Sequence, residues 1–123
     1  MKKIVLDYKK DPELFSATAQ EWAEGICARR HDRADYRVKS TQLRNFYDKV
    51  MELEERAKKE PFDEVLPFVK MLNSKVAYAK TRGHVSDAFV EMMTQCITQV
   101  DSPESLKTFK LFFEALIGFY PKK

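Results

Sequence analysis

The sequence has little of what cysteine-, glycine- or histidine-based functions need. Its 123 residues include two cysteines, three glycines and two histidines. Cys27 and Cys96 are too few and too far apart for a zinc cluster or a disulfide framework, so we expect two reduced, buried thiols. Glycine-rich phosphate loops, dinucleotide fingerprints and metal-ligand spacings are missing as well. The sequence therefore predicts a protein without metal or cofactor.

Long apolar runs and strand signals are also missing. The N-terminal apolar run is residues 4–6, far short of a secretory core or a membrane span, which favours a cytoplasmic protein that does not enter a membrane. Alternating β-branched runs and Asn-Gly or Asp-Gly hairpin turns do not occur, so no sheet is expected. A chain of 123 residues suits one domain with a single core.

Recognisable catalytic groupings are missing too. A nucleophile needs a neighbouring base, and the two histidines, His31 in a charged segment and His84 after Gly83, have no recognisable partner. Both are expected to be solvated or capping residues. The neighbouring carboxylates are expected on polar helix faces, where solubility explains them: Glu52, Glu54, Glu55, Asp63 and Glu64. These absences argue against an enzyme.

What the sequence does contain is helical periodicity, which predicts an all-α fold: a single compact bundle of about five helices over residues 1–123. Residues 1–38 are expected to form an N-terminal helix and a charged loop, with the helix starting at Asp11-Pro12. The other predicted boundary signals are caps at Ser40 or Thr41, Ser86 and Ser102, a kink or fresh start at Pro67, and a left-handed stop at Gly83. The last helix, apolar over more than half its circumference, should be central. Five phenylalanines keep helical spacing and are expected in the core: Phe15, Phe46, Phe109, Phe112 and Phe113.

Positive charge is sorted along the chain. Residues 65–86 carry four basic residues and no acidic one, and residues 29–49 carry seven basic against three acidic residues. Each stretch thus has a balance of +4, so the rest of this +3 chain sums to −5. Sorted positive charge indicates an anionic partner.

Two short segments combine cations with hydrogen-bonding groups. Lys75, Tyr78 and Arg82 share one helix face, offset from the inward stripe, although a solvated face with a half-buried tyrosine would give the same pattern. Residues 39–44 place Lys39 and Arg44 at a helix start, whose free amides attract anions. A capped helix with incidental surface charge is the alternative.

Three segments resemble, in order and spacing, the small helical subunit of type III-A CRISPR effector complexes, the Csm complex. They are Lys39-Ser40-Thr41-Gln42-Leu43-Arg44-Asn45-Phe46, Lys75-Val76-Ala77-Tyr78-Ala79-Lys80-Thr81-Arg82 and Phe112-Phe113-Glu114-Ala115-Leu116-Ile117. The resemblance spans roughly residues 39–120. It implies a non-catalytic subunit of antiviral defence, present in several copies, that lies beside guide RNA and target RNA among other Csm subunits.

The resemblance also implies roles for six residues. Lys39, Arg44, Lys75 and Arg82 would neutralise phosphates, Gln42 would bond phosphate or sugar, and Tyr78 would fix its cationic neighbours or touch a ribose. The basic cluster at residues 29–33 has no role to inherit. A structural helical adaptor that binds an acidic protein without RNA remains the alternative function.

Overall fold

The computed structural model describes residues 1–27 and 38–121. Its helices are α1 Ala19–Cys27, α2 Ser40–Ala57, α3 Phe62–Thr81, α4 Asp87–Gln99 and α5 Pro103–Phe119, and a π-helical turn, Leu14–Thr18, leads into α1. Within these residues there is no strand, so the predicted all-α bundle of about five helices is confirmed. His31 and the basic cluster at residues 29–33 lie outside the described residues.

Helix α5 forms the centre of the bundle, as its composition predicts. It packs against α1, α2 and α4. Its inward side chains are fully buried: Leu106, Phe109, Phe112, Phe113 and Leu116. The ring of Phe113 contacts Tyr47 of α2 and Phe89 of α4 edge-on, at centroid distances of 5.7 and 6.4 Å. Such aromatic contacts add to the burial of apolar area that holds the bundle together. Phe15 is only partly buried.

Several predicted helix boundaries are confirmed. Gly83 has φ +76°, and the amides of Gly83 and His84 donate to the carbonyls of Lys80 and Ala79, which is the Schellman ending that glycine favours. Ser86 accepts the Phe89 amide at the start of α4. At the start of α5, the Ser102 hydroxyl accepts the Ser105 amide, so this helix start is capped by its own residues.

Other boundary predictions are wrong. Ser40 and Thr41 do not cap α2, because Lys39 occupies the cap position, without a side-chain hydrogen bond, and both residues are helical. Of the two outcomes predicted for Pro67, a kink or a fresh start, the fresh start does not occur, since α3 runs continuously through Pro67 from Phe62. Pro67 and the Asp63 carbonyl that it leaves unbonded lie at an exposed part of the helix, where water can satisfy that oxygen.

Two burial predictions also need correction. Cys96 is fully buried, which raises the pKa of its thiol, but Cys27, at the end of α1, is only partly buried. Glu54 does not lie on a polar face: its exposure is 5%. It follows Tyr47 and Val50 on the stripe of α2 that faces the core, because residues three and four apart share a helix face.

The N-terminal segment is anchored in a way that no helical pattern predicts. Ile4 and Leu6 are buried, and their amides donate to the side-chain oxygens of Gln95 and Gln99 at 2.8 and 2.9 Å. The Gln99 amide group donates back to the Ile4 carbonyl at 2.7 Å. Two glutamines of α4 thus replace the backbone partner that a strand would provide, and the segment becomes part of the core.

Asp11 is a buried carboxylate that organises the turn before α1. Its oxygens accept hydrogen bonds from the Glu13 amide, the Thr18 hydroxyl and the Lys2 ammonium group. Burial raises the pKa of this carboxyl, but the three hydrogen bonds outweigh it and leave the pKa below the ordinary value of 3.8. Asp11 accepts an amide, that of Glu13, as predicted, but the predicted helix start at Asp11-Pro12 is wrong, because the π-helical turn begins at Leu14 and α1 at Ala19.

Candidate nucleic-acid interface

A groove runs between α2 and α3 on the surface of the bundle. Its cavity has a volume of about 430 Å³. Buried Phe46 and Ala79 form its floor. The polar residues around it are Gln42, Asn45 and Lys49 from α2, Ser74, Lys75 and Tyr78 from α3, and His84 beyond the Gly83 turn. We call this surface the α2–α3 groove.

The groove brings together some of the residues singled out in the sequence. Gln42, Lys75 and Tyr78 all line it, although they come from two different helices. Lys75 and Lys49 are exposed, and no carboxylate of the described residues lies within 4 Å of either ammonium group. The groove thus offers two ammonium groups together with amide and hydroxyl groups, a combination that suits phosphate and sugar oxygens.

The acid-free stretch of the sequence divides into two pairs of cations. Lys70 donates to the Ile97 carbonyl at 2.6 Å, and Lys80 pairs with Asp87 at 2.8 Å, so both tie α3 to α4. Lys75 and Arg82 instead point to solvent from the outer face of α3. Charge that looks uniform in the sequence is therefore partly used for packing, and only the second pair is available for an external anion.

Tyr78 and Arg82 form a small unit at one end of the groove. An Nη1 group of Arg82 donates to the Tyr78 hydroxyl at 2.9 Å, and its guanidinium lies 5.6 Å from the centroid of the tyrosine ring. Tyr78 is 64% exposed, so the half-buried ring of the alternative interpretation is not found. The ring is free on its outer side, and the hydroxyl limits the range of positions that the guanidinium can adopt.

Lys39 and Arg44 lie apart from the groove. Arg44 follows Gln42 by two residues, a rotation of roughly 200° around the helix, so it lies on the other side of α2. There its guanidinium is 5.6 Å from the Tyr47 ring centroid, beside a cavity of about 180 Å³ next to Tyr120. Lys39 is exposed at the N-terminal cap position of α2. The six predicted residues therefore divide into a groove set and a helix-start set.

Sequence reasoning missed several residues that line the groove. Asn45 and Lys49 follow Gln42 by three and seven positions, so helical spacing alone places all three on one face of α2. The sequence therefore contained a signal for Asn45 and Lys49. It contained none for His84, because His84 reaches the groove only through the left-handed turn at Gly83.

The described residues contain no helix with the length and apolar character needed to cross a bilayer. They also contain no group of three or more His, Cys, Asp or Glu side chains that could hold a metal ion.

A family model described as Csm2 Type III-A matches residues 9–122, nearly the whole chain. No curated protein matches the chain. No solved structure matches it either.

Proposed function

Because this chain belongs to the type III-A Csm2 family, the small subunit of the Csm complex, we propose that it binds RNA there through the phosphate backbone. The family associates with the other Csm subunits. Guide RNA and target RNA are the proposed ligands, bound without regard to sequence. Specific base pairing then selects the target, while this subunit supplies affinity.

One observation supports this proposal above the others. The ammonium groups of Lys49 and Lys75 have no carboxylate partner among the described residues, and they lie in one groove with Gln42 and Tyr78. Lys75 and Arg82 are separated by roughly 10 Å of helix rise, which is about three nucleotides of a strand. A strand that follows α3 would bring successive phosphates to these two cations. Gln42 would then bond a phosphate or a ribose, and Tyr78 would contact a ribose.

Lys39 and Arg44 enter the proposal as a second contact region. A strand leaving the groove past the start of α2 would meet Lys39 and the positive end of that helix. Arg44 lies beyond it, on the α5 side, so its contribution requires the strand to bend around the helix start. Removing Arg44 should therefore weaken binding less than removing Lys75.

We further propose that the subunit is non-catalytic and acts in several copies. An RNA-cleaving site needs a base beside a nucleophile or a metal, and His84, the one histidine of the described residues, has no carboxylate within ion-pair distance there. A single groove with few phosphate contacts binds weakly. Several copies on one strand would gain affinity through effective concentration.

The test is an anisotropy titration of the purified chain with unrelated single-stranded RNAs at two salt concentrations. With about four phosphate contacts, raising salt from about 50 to about 200 mM should lower the affinity by several tens-fold, equally for every sequence. Lys75→Ala combined with Arg82→Ala should remove most binding. Lys9→Ala with Lys10→Ala is the matched control, because it removes the same charge from exposed positions of the N-terminal segment.

Two results would contradict the proposal. One is unchanged RNA affinity in the Lys75 and Arg82 double variant, both in isolation and in the assembled complex. The other is a salt-sensitive complex with an acidic protein and no RNA retention, which would favour the helical adaptor instead.

A further inference from the structure

The α2–α3 groove has two features that phosphate contacts do not use. Its floor, Phe46 and Ala79, is apolar. Tyr78 at its edge is 64% exposed, the most exposed of the large apolar or aromatic side chains in the described residues. An ammonium group binds a phosphate equally well on a flat, polar surface. The exposed ring and the apolar floor therefore suit a different part of the ligand, one with a flat apolar face.

The Tyr78 ring stands beside a planar cation. Arg82 follows Tyr78 by four positions on the outer face of α3, donates to its hydroxyl at 2.9 Å and lies 5.6 Å from its ring centroid. Aromatic rings and guanidinium planes are the surfaces on which proteins stack the bases of single-stranded RNA. Because every base has a π-face, such stacking does not depend on which base is present.

The opposite wall of the groove supplies hydrogen-bonding groups. Gln42 and Asn45 line it from α2, whereas Tyr78 lines it from α3. Within the described residues, neither amide group forms a hydrogen bond of its own. Each amide group carries donors and an acceptor, so it can meet the edge of any base. A volume of about 430 Å³ is typical of a site for a small ligand.

We propose that the α2–α3 groove holds one unpaired nucleobase of the bound strand, stacked on the ring of Tyr78. This inference rests on the proposed function, RNA binding by the groove, and adds a base to its phosphate and ribose contacts. The amide groups of Gln42 and Asn45 bond the edge of the base, and Lys49 and Lys75 bind the phosphates beside it. A base that is paired within a duplex cannot enter, so the ligand is a nucleotide of a single strand or one that has left its stack.

The experiment compares two strands that differ only in their bases. One is oligouridylate, and the other has the same length but carries 1-deoxyribose in place of each nucleoside, so phosphates and 2′-hydroxyl groups are unchanged. Anisotropy titrations of the full chain at one salt concentration measure both affinities. The strand without bases should bind about tenfold more weakly, the size of one stacked base. Phosphate and ribose contacts alone predict equal affinities.

Variants of Tyr78 assign that difference to the ring. Tyr78→Ala should lower the affinity for oligouridylate about tenfold and leave the affinity for the strand without bases unchanged. Tyr78→Phe keeps the ring and should retain most of the affinity, although it loses the Arg82 bond. Tyr8→Ala is the matched control, because Tyr8 is a second exposed tyrosine, at 52%, outside the groove, and its removal should change neither affinity.

The possible failures of the two proposals differ. Binding of neither strand would overturn the proposed function, and this inference with it. Equal affinities for the two strands, both lost in the Lys75 and Arg82 double variant, would overturn the base site alone and leave backbone binding intact. An equal loss for both strands in Tyr78→Ala would also overturn the base site, because the ring would then act on the ribose or through Arg82.

Discussion

The two sides of α2 differ in whether their charged side chains are exposed or buried. Toward α3, Lys49 and Lys75 are exposed cations that remain hydrated until a ligand arrives. Toward α5, the Glu54 carboxylate is buried, and its Oε1 atom lies within ion-pair distance of the Lys58 ammonium group, at 3.7 Å. Hydrated cations spread along a groove suit a polyanion of any sequence, because each contact is weak and replaceable. A buried anion is instead matched by a cation of the chain itself, here Lys58. The difference shows that one helix can leave charge exposed on one side and neutralise it within the chain on the other.

The largest expected effect is a loss of stability that disrupts both sides of α2 at once. Phe113→Ala removes a fully buried ring that joins α5 to Tyr47 of α2 and Phe89 of α4. A cavity of this kind costs about 3–5 kcal/mol of unfolding free energy, enough to unfold a marginally stable domain. Chemical denaturation followed by circular dichroism measures it. Phe119→Ala, at a residue that is 37% exposed, is the control and should cost far less. Equal losses in the two variants would contradict the central role of α5.

A smaller loss of stability is expected at Gln99, and it should leave both sides of α2 intact. Gln99→Ala removes the acceptor of the Leu6 amide and the donor to the Ile4 carbonyl, so two buried backbone groups lose their partners. The expected cost is about 1–3 kcal/mol of unfolding free energy in all, because both bonds are only partly buried and water can replace them in part. RNA affinity should not change in the folded fraction. Exposed Thr98→Ala provides the comparison. A loss of RNA binding in folded Gln99→Ala would mean that the N-terminal segment supports the groove.

Lys49→Ala tests the α3 side alone. It removes one ammonium group from the α2–α3 groove, so the salt slope of RNA binding should fall by about 0.7 and the affinity at low salt should drop several-fold. Lys58→Ala removes an equal charge on the α5 side and should leave the slope unchanged. Anisotropy titrations over a series of salt concentrations measure both. Identical slopes for the two variants would remove the distinction between the two sides of α2.

The smallest expected effect concerns Asp11, a buried carboxylate that accepts three hydrogen bonds from groups of the chain. The pKa of Asp11 in the folded protein lies below its ordinary value of 3.8. Its contribution to stability is therefore fully present above about pH 4 and is lost as pH falls through the folded value. Asp11→Asn should flatten this acid dependence of the melting temperature. Asp63→Asn, at an exposed position, should leave it unchanged. A steep acid dependence that persists in Asp11→Asn would assign it to other groups.

Helical spacing and end signals predicted most of the fold. Gly83, Ser86 and Ser102 mark helix ends because each acts through a bond to a residue within five positions. The signals that misled concerned Ser40 and Pro67. A serine is equally acceptable as a first helical residue, and a proline near a helix start costs little where its freed carbonyl is exposed. Local chemistry permits both outcomes at such positions.

The candidate site was only partly predictable. Lys75, Tyr78 and Arg82 share a helix face by spacing, and the Arg82 bond to Tyr78 agrees with that pattern. That Gln42 joins Lys75 and Tyr78, while Arg44 lies on the other side of α2, depends on which face of α2 meets α3. Spacing within one helix says nothing about its rotation against a neighbour.

By itself, the sequence determined the helices, most of their ends, the central place of α5 and the two basic stretches, because periodicity and capping act between residues close along the chain. Only the tertiary structure decided which cations stay free, since Lys70 and Lys80 are engaged by groups of α4, a different helix, across the contact between α3 and α4. The same holds for the buried anchoring of Ile4 and Leu6 and for the burial of Glu54. Each depends on packing between elements, and burial and long-range hydrogen bonds arise only when those elements meet.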